Sequence, residues 1–331
     1  MMRKTAMRKA AMRKATMQKA TMQKTTMPKS TVMPAIDTAF SRRYLLKLAV
    51  LLPVFPYART AQADGGVTGY AKSKQVSGGG LEGETVYVNN VKALAVHLGG
   101  PAHKNIIITC TLKAPDKYTI LLGSNKTLIG QLPGITLYNI YLVSSHNQGN
   151  VIIKNMTFLH DKKINGNNDI QLRISSGDGY WLDHCNFLGH EWSVNDGAED
   201  KHIYFGENAD FITISNCVFA NHRYGCIFGY PVDGNSRFKG KPRITICNNY
   251  YYNLYVRAPG LFRYGNFIVF NNVIRGFHLG FTVDGDARVY SSNNHFYSTF
   301  ENFSVVDYKH GYLHNYNDNV NGQIINKIWG Q

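Results

Sequence analysis

Residues 195–200 read NDGAED and bring three acids together, Asp196, Glu199 and Asp200. Acids at this density suit three chemistries. Two carboxylates flanking a glycosidic bond can hydrolyse it. Two carboxylates joined by further oxygen donors can hold a hard cation such as calcium. An acidic loop can also simply face water, and on these six residues alone that is the reading to prefer. A second cluster, WLDHCNF at 181–187, carries Trp181, Asp183 and His184 and could pass for a catalytic set. Alternate residues of a strand face opposite sides, so a hydrogen-bonded structural network is the better expectation there.

The elements that must position these groups emerge once the chain is divided. It has 331 residues, 44% of them hydrophobic, and a formal net charge of +15. That charge suggests nucleic acid until its place is found. Residues 1–63 hold thirteen Lys/Arg and one acid, Asp37, so the 36 bases and 21 acids of the whole leave 23 against 20 for residues 64–331. The body is close to neutral and no nucleic-acid partner is expected. Residues 1–32 form a low-complexity leader with Met2, Met7, Met12, Met17, Met22 and Met27 at a five-residue period, which builds neither a helical nor a strand face. Residues 33–63 have the shape of a twin-arginine export signal: Arg42-Arg43, a short apolar run from Leu45 to Phe55, and Ala61-Gln62-Ala63. The run contains Lys47 and is shorter than the ~20 residues of a stable span. The expectation is a secreted or periplasmic protein without stable membrane insertion, its mature domain covering 64–331. Five cysteines with no CxxC pair point to buried free thiols rather than a cysteine metal site.

Within that domain one helix is expected, NNVKALAVHLGG at 89–100, capped by Asn89 or Asn90 and ended by Gly99-Gly100. Elsewhere short β-rich runs repeat. VIIKNMTF, WLDHCNF, ITISNCVF, ITICNNYY, FIVFNNVI and VYSSNNHF end at Phe158, Phe187, Phe219, Tyr251, Ile274 and Phe296. Three positions before each end stand Asn155, His184, Asn216, Asn248, Asn271 and Asn293, separated by 22 to 32 residues. Self-similarity at such a period signals a solenoid. Stacked amides of this column are expected to bond one another at a corner, with Met156, Cys185 and Cys217 in a second, buried column. The expected fold is all-β: a single-stranded right-handed parallel β-helix with an N-terminal capping helix.

On these residues the chain resembles the polysaccharide lyases of the pectate lyase and pectin lyase type. SGGGLEG (77–83), SNKTLIG (124–130), NVIIKNMTF, WLDHCNF, DGAED (196–200), ITISNCVFANH (212–222), IFG (227–229) and VRAPGLFRYG (256–265) follow one another in the family's order. The resemblance implies calcium-dependent β-elimination of polygalacturonate or pectin by a monomeric enzyme, giving unsaturated oligogalacturonates. It assigns calcium to Asp196 and Asp200, with Asp169 as the third carboxylate and Asp178 as its substitute. It makes Arg257 the base that removes the C5 proton, Arg263 a clamp for the substrate carboxylate, and Arg223 with Tyr224 further substrate contacts. Two departures stand out. The arginines are six apart where the family has five, and Tyr224 stands where many members carry Lys. The alternatives are a lyase for methyl-esterified pectin, a non-catalytic carbohydrate-binding β-helix, and a hydrolase.

Overall fold

The computed structural model describes residues 66–144, 148–192, 201–230 and 239–330. The leader and the signal-like segment lie outside them. Twenty-five strands and two helices are present among the described residues. The strands pair in parallel from one coil to the next and fall into three faces of a parallel β-helix. The first sheet includes Asp178–Asp183, Asp210–Ser215, Arg243–Cys247, Asn266–Phe270 and Ala287–Ser292. The second includes Thr157–Leu159, Asn186–Leu188, Val218–Tyr224, Tyr250–Val256, Val273–Phe277 and His295–Tyr297. The third runs from Leu172–Ile174 through Ile203–Phe205, Cys226–Phe228, Gly260–Leu261 and Leu279–Val283 to Ser304–Tyr308. The strand Gln323–Trp329 pairs antiparallel with Gly311–Val320 and ends the last coil.

The run ends aligned in the sequence form one interior column. Phe158, Phe187, Phe219, Tyr251, Ile274 and Phe296 are all fully buried and in mutual register. Their rings stack at 4.7, 5.2 and 5.0 Å from Phe158 to Tyr251, each pair adding about 0.5–1.5 kcal/mol beyond the area it buries.

The aligned Asn column has a different task from the one expected. Asn155, His184, Asn216, Asn248, Asn271 and Asn293 all stand at φ between 53° and 57°, the left-handed region that Asn enters more readily than most residues. They turn the chain from the first sheet to the second. The amide ladder lies one residue further on. Asn249 donates to Asn272 at 3.0 Å, Asn272 to Asn294 at 2.8 Å, and Asn294 to Asp318 at 3.1 Å. Each side-chain oxygen also accepts the backbone N–H of the preceding coil, beginning with Cys217 N to Asn249 at 2.9 Å. Met156, Cys185 and Cys217 continue this buried column upstream; the five cysteines are free thiols, four of them buried as expected and Cys110 exposed.

The capping helix is Val91–Leu98, with Asn90 accepting from Ala93 N at 2.9 Å and Leu94 and Leu98 buried against the first coils. A second helix, Gly69–Ser73, was not expected. It lies on the outside of the first sheet, where Ala71 packs with Ile152 and Trp181. Its backbone is held by Thr213 and Thr245, each at 3.1 Å. Five residues are too few to show a helical period.

Candidate active site

Arg257 follows the second-sheet strand Tyr250–Val256 and begins the corner leading to Gly260–Leu261 of the third. Arg257 (φ 63°) and Arg263 (φ 54°) both occupy the left-handed region. That is uncommon for long side chains, and such residues gather at functional sites. The Arg257 guanidinium carbon lies 5.3 Å from the Tyr224 ring centroid and 5.7 Å from that of Phe262. Arg223 approaches the same Tyr224 ring at 5.2 Å. Burial pushes the Arg257 pKa down, against the pull of Tyr224, Tyr230 and Asp307.

Two cations that the sequence reading passed over complete the cluster. Lys201 is pushed down to about 8 by burial first, then by the charges of Arg257 and Arg173. Arg173 stands over the Tyr204 ring at 5.5 Å. It opens onto a cleft of about 620 Å3 whose walls include Lys117, Tyr141, Ile170 and Glu207. Ile170, Tyr204, Ile227 and Phe262 pack into an apolar ladder along the third sheet. An aromatic group gathers around Tyr255, two residues before Arg257. Trp192 and Tyr255 are 4.9 Å apart, Tyr255 stacks on His278 at 4.9 Å, and Phe300 lies 6.3 Å from Trp192. Trp192 is fixed by its N–H to the Asn253 carbonyl at 2.8 Å. In the sequence, the only signal for Lys201 was its place directly after DGAED, and nothing singled out Trp192.

Four histidines lie behind this corner. His160 and His190 are 5.2 Å apart, His202 and His222 4.5 Å. His222 Nδ1 accepts from Tyr224 N at 3.3 Å, tying the cluster to the site. Burial holds His160 down to about 4 and His222 to about 3, and His202 well below its ordinary value; neighbouring imidazoles push each of them further.

The remaining candidates divide. Arg263 is fully buried and donates to the Glu207 carbonyl at 2.8 Å. Its guanidinium supports the cleft wall from beneath, rather than standing as the open carboxylate clamp that the resemblance implies. Asp169 is held by an ion pair with Lys117 and accepts Gly166 N at 2.6 Å. Asp196 and Asp200, like Glu199, lie outside the described residues. Of the three carboxylates that the resemblance assigns to calcium, only Asp169 is described. The carboxylate of Asp169 is already engaged by an ammonium and an amide, Lys117, Arg173 and Lys201 supply positive charge nearby, and no group of three His, Cys, Asp or Glu among the described residues is arranged to hold a metal. Asp178, the substitute, pairs with Lys74 on the first sheet. Asp183 belongs to a network there. Burial would raise it, but hydrogen bonds from His184, Asn216 and Ser215 hold it at about 2, and Trp181 donates to the same Ser215.

A parallel β-helix thus carries these cations and aromatic rings along one corner. The sequence profile of the pectate lyase family matches residues 45–327, and the chain belongs to that family. It is 49% identical over 246 residues to a pectin lyase of Pectobacterium carotovorum, covering 74% of this chain and 78% of that one. It is 47% identical over 237 residues to a pectin lyase of Bacillus subtilis, covering 72% and 69%. Among solved structures, a polygalacturonate lyase fused with a self-assembling amphipathic peptide superposes with a TM-score of 0.67 at 18% identity, covering 78% and 87%.

Proposed function

We propose that this polysaccharide lyase cleaves galacturonan by β-elimination with Arg257 as the base, and that methyl-esterified pectin is its preferred form. In the reaction the C5–H bond breaks toward the base, C4 and C5 become doubly bonded, and the C4–O4 bond breaks with the leaving oxygen taking up a proton. Arg257 must be uncharged to accept the C5 proton. Burial favours that form, pushing the Arg257 pKa below its ordinary value. Negative charge grows on the group at C6, where Lys201 and Arg173 supply electrostatic stabilisation.

The single observation that carries the esterified reading is the donor set. A free carboxylate at C6 needs a cation to neutralise it as C5 loses its proton, the chemistry that calcium would supply. A methyl ester is already neutral and dispenses with the metal. Here Asp169 is turned into an ion pair with Lys117, and the relatives at nearly half identity carry the name pectin lyase. The aromatic wall of Trp192, Tyr255, His278 and Phe300 offers rings to sugar faces and ester methyls. The second reading is calcium-dependent action on polygalacturonate, with Asp196 and Asp200 joining Asp169 once it leaves Lys117. It is supported by the DGAED motif. One assay separates the two. Esterified pectin and polygalacturonate are each incubated with the protein, with and without a calcium chelator, and ultraviolet absorbance of unsaturated uronates is followed. Absorbance on esterified pectin that ignores the chelator supports the first reading. Absorbance on polygalacturonate that needs calcium supports the second. Reducing sugar without absorbance would overturn both in favour of hydrolysis.

We further infer export of a monomer by residues 33–63. Loss of the protein from the extracytoplasmic fraction in an Arg42→Lys/Arg43→Lys chain is the expected outcome.

A further inference from the structure

The outer face of the second sheet carries a feature that the reaction does not use. Tyr250 and Tyr252 lie on one strand with rings 6.1 Å apart and 8° from parallel. Two coils further on, His295 and Tyr297 repeat the arrangement at 6.3 Å and 11°. The intervening coil places Arg275 in register with Tyr252 on one side and Tyr297 on the other. Tyr252 and Tyr297 are 44% and 40% exposed, and Arg275 is exposed between them. Arg275 makes no ion pair among the described residues. It is hydrogen-bonded to the Tyr250 hydroxyl, whose pKa burial raises and Arg275 lowers.

We propose that this face is a non-catalytic binding platform for galacturonan chains. The inference rests on the galacturonan reading above. Exposed rings offer flat apolar surfaces to the C–H faces of pyranoses. An exposed arginine in register between them, its guanidinium on the Tyr250 hydroxyl, suits a uronate carboxylate, which a guanidinium can take in a bidentate pair. The spacing agrees as well. Equivalent residues of successive coils are ~4.8 Å apart, close to the advance of one sugar in an extended 1→4-linked chain. A polymer lying along the solenoid axis therefore meets Tyr252, Arg275 and Tyr297 with successive sugars. Arg257 is five residues beyond Tyr252 on the chain, past the bend at Asn253 (φ 52°), and the oligomer assay below tests whether the two faces act separately. The platform would keep the enzyme on insoluble pectic material between cuts.

The test compares the full chain with Tyr252→Ala/Tyr297→Ala and with Arg275→Ala, in cold co-sedimentation with insoluble polygalacturonate and with insoluble methyl-esterified pectin. Activity on a short soluble oligogalacturonate, free or esterified, is measured in parallel. Retention of the double variant is expected to fall at least fivefold on both materials. Arg275→Ala should lose retention chiefly on polygalacturonate. Activity on the oligomer should stay within twofold, and Tyr252→Phe/Tyr297→Phe should bind like the parent. Unchanged retention in both alanine variants would overturn the platform. So would a parallel loss of oligomer activity, because the face would then be serving the cleavage site. If the parent binds but yields no absorbance on any oligomer, the lyase reading fails while the platform stands.

Discussion

The guanidinium of Arg257 and the ring of Tyr224 face each other at 5.3 Å across neighbouring coils, with Tyr224 in register with Val256. The ring gives a half-buried cation an electron-rich surface, and its removal exposes Arg257 to other rotamers. A contact of this kind is worth about 0.5–1 kcal/mol. Tyr224→Ala is expected to lower kcat roughly two- to fivefold, and Tyr224→Phe, which keeps the ring, to restore most of it. Steady-state absorbance kinetics decide this.

Arg257→Lys tests the base itself. General-base removal costs roughly 10²–10⁴-fold in kcat, and Arg257→Lys keeps the charge and most of the buried stem, so the melting temperature should move little. Retention of full kcat would remove Arg257 from the chemistry.

Lys201 and Arg257 repel one another, and Lys201 at about 8 is mostly charged at neutral pH. In that state it can stabilise the negative charge that develops at C6. Lys201→Gln is therefore expected to lower kcat/KM and to remove a descending limb near pH 8, where Lys201 loses its charge. A descending limb near 8 that survives the substitution would exclude Lys201 from the chemistry.

The histidine cluster sets the response to acid. His160 and His222 have folded values of about 4 and about 3, below the ~6.5 of the unfolded chain. The unfolded state thus binds protons first as pH falls. Stability is fully present above about 6.5 and is lost as pH falls toward the folded values, at up to about 1.4 kcal/mol per pH unit for each histidine. Asp183, at about 2, adds a further loss below its unfolded value of ~3.9. Urea midpoints are expected to fall from pH 7 to pH 5, and His222→Gln to flatten that slope. Midpoints level across this range would exclude the cluster.

The amide ladder offers a stability test remote from chemistry. Asn272→Ala leaves the Asn249 amide and the Asn294 oxygen without their partner in a buried column, at a cost of about 1–3 kcal/mol. Thermal unfolding should show the loss with oligomer activity unchanged.

The coil repeat was legible because an interior column and a left-handed corner both restrict residue type. Phe158 to Phe296 had to be apolar, and Asn216 to Asn293 had to tolerate positive φ. The bent corner at those Asn residues was legible. That their amides bond along the column only at its end among the described residues, Asn317 to Asn293 at 2.6 Å, was not, because position alone does not separate a backbone preference from an amide ladder one residue away. The site was only half legible. Arg257 and Tyr224 meet as the motif order implied. The burial of Arg263 and the ion pair of Asp169 depend on Glu207 and Lys117, which sit 56 and 52 residues away and carry no motif. Lys201 and the aromatic wall are assembled by coil stacking, so their neighbours in sequence say little about their neighbours in space.

The ladder also has a polarity. Every amide from Asn249 to Asn294 gives its proton to the next coil, and Asp318, acceptor only, receives the last one along with those of Asn315 and Ser291. A carboxylate in the middle would leave the following oxygen facing another oxygen, so this residue can stand only at the end of the series. Coils bearing Asn can be duplicated upstream without breaking the chain of donors, whereas a coil added beyond Asp318 would find nothing to receive. The ladder can lengthen by copying coils from within, and a single acid closes it.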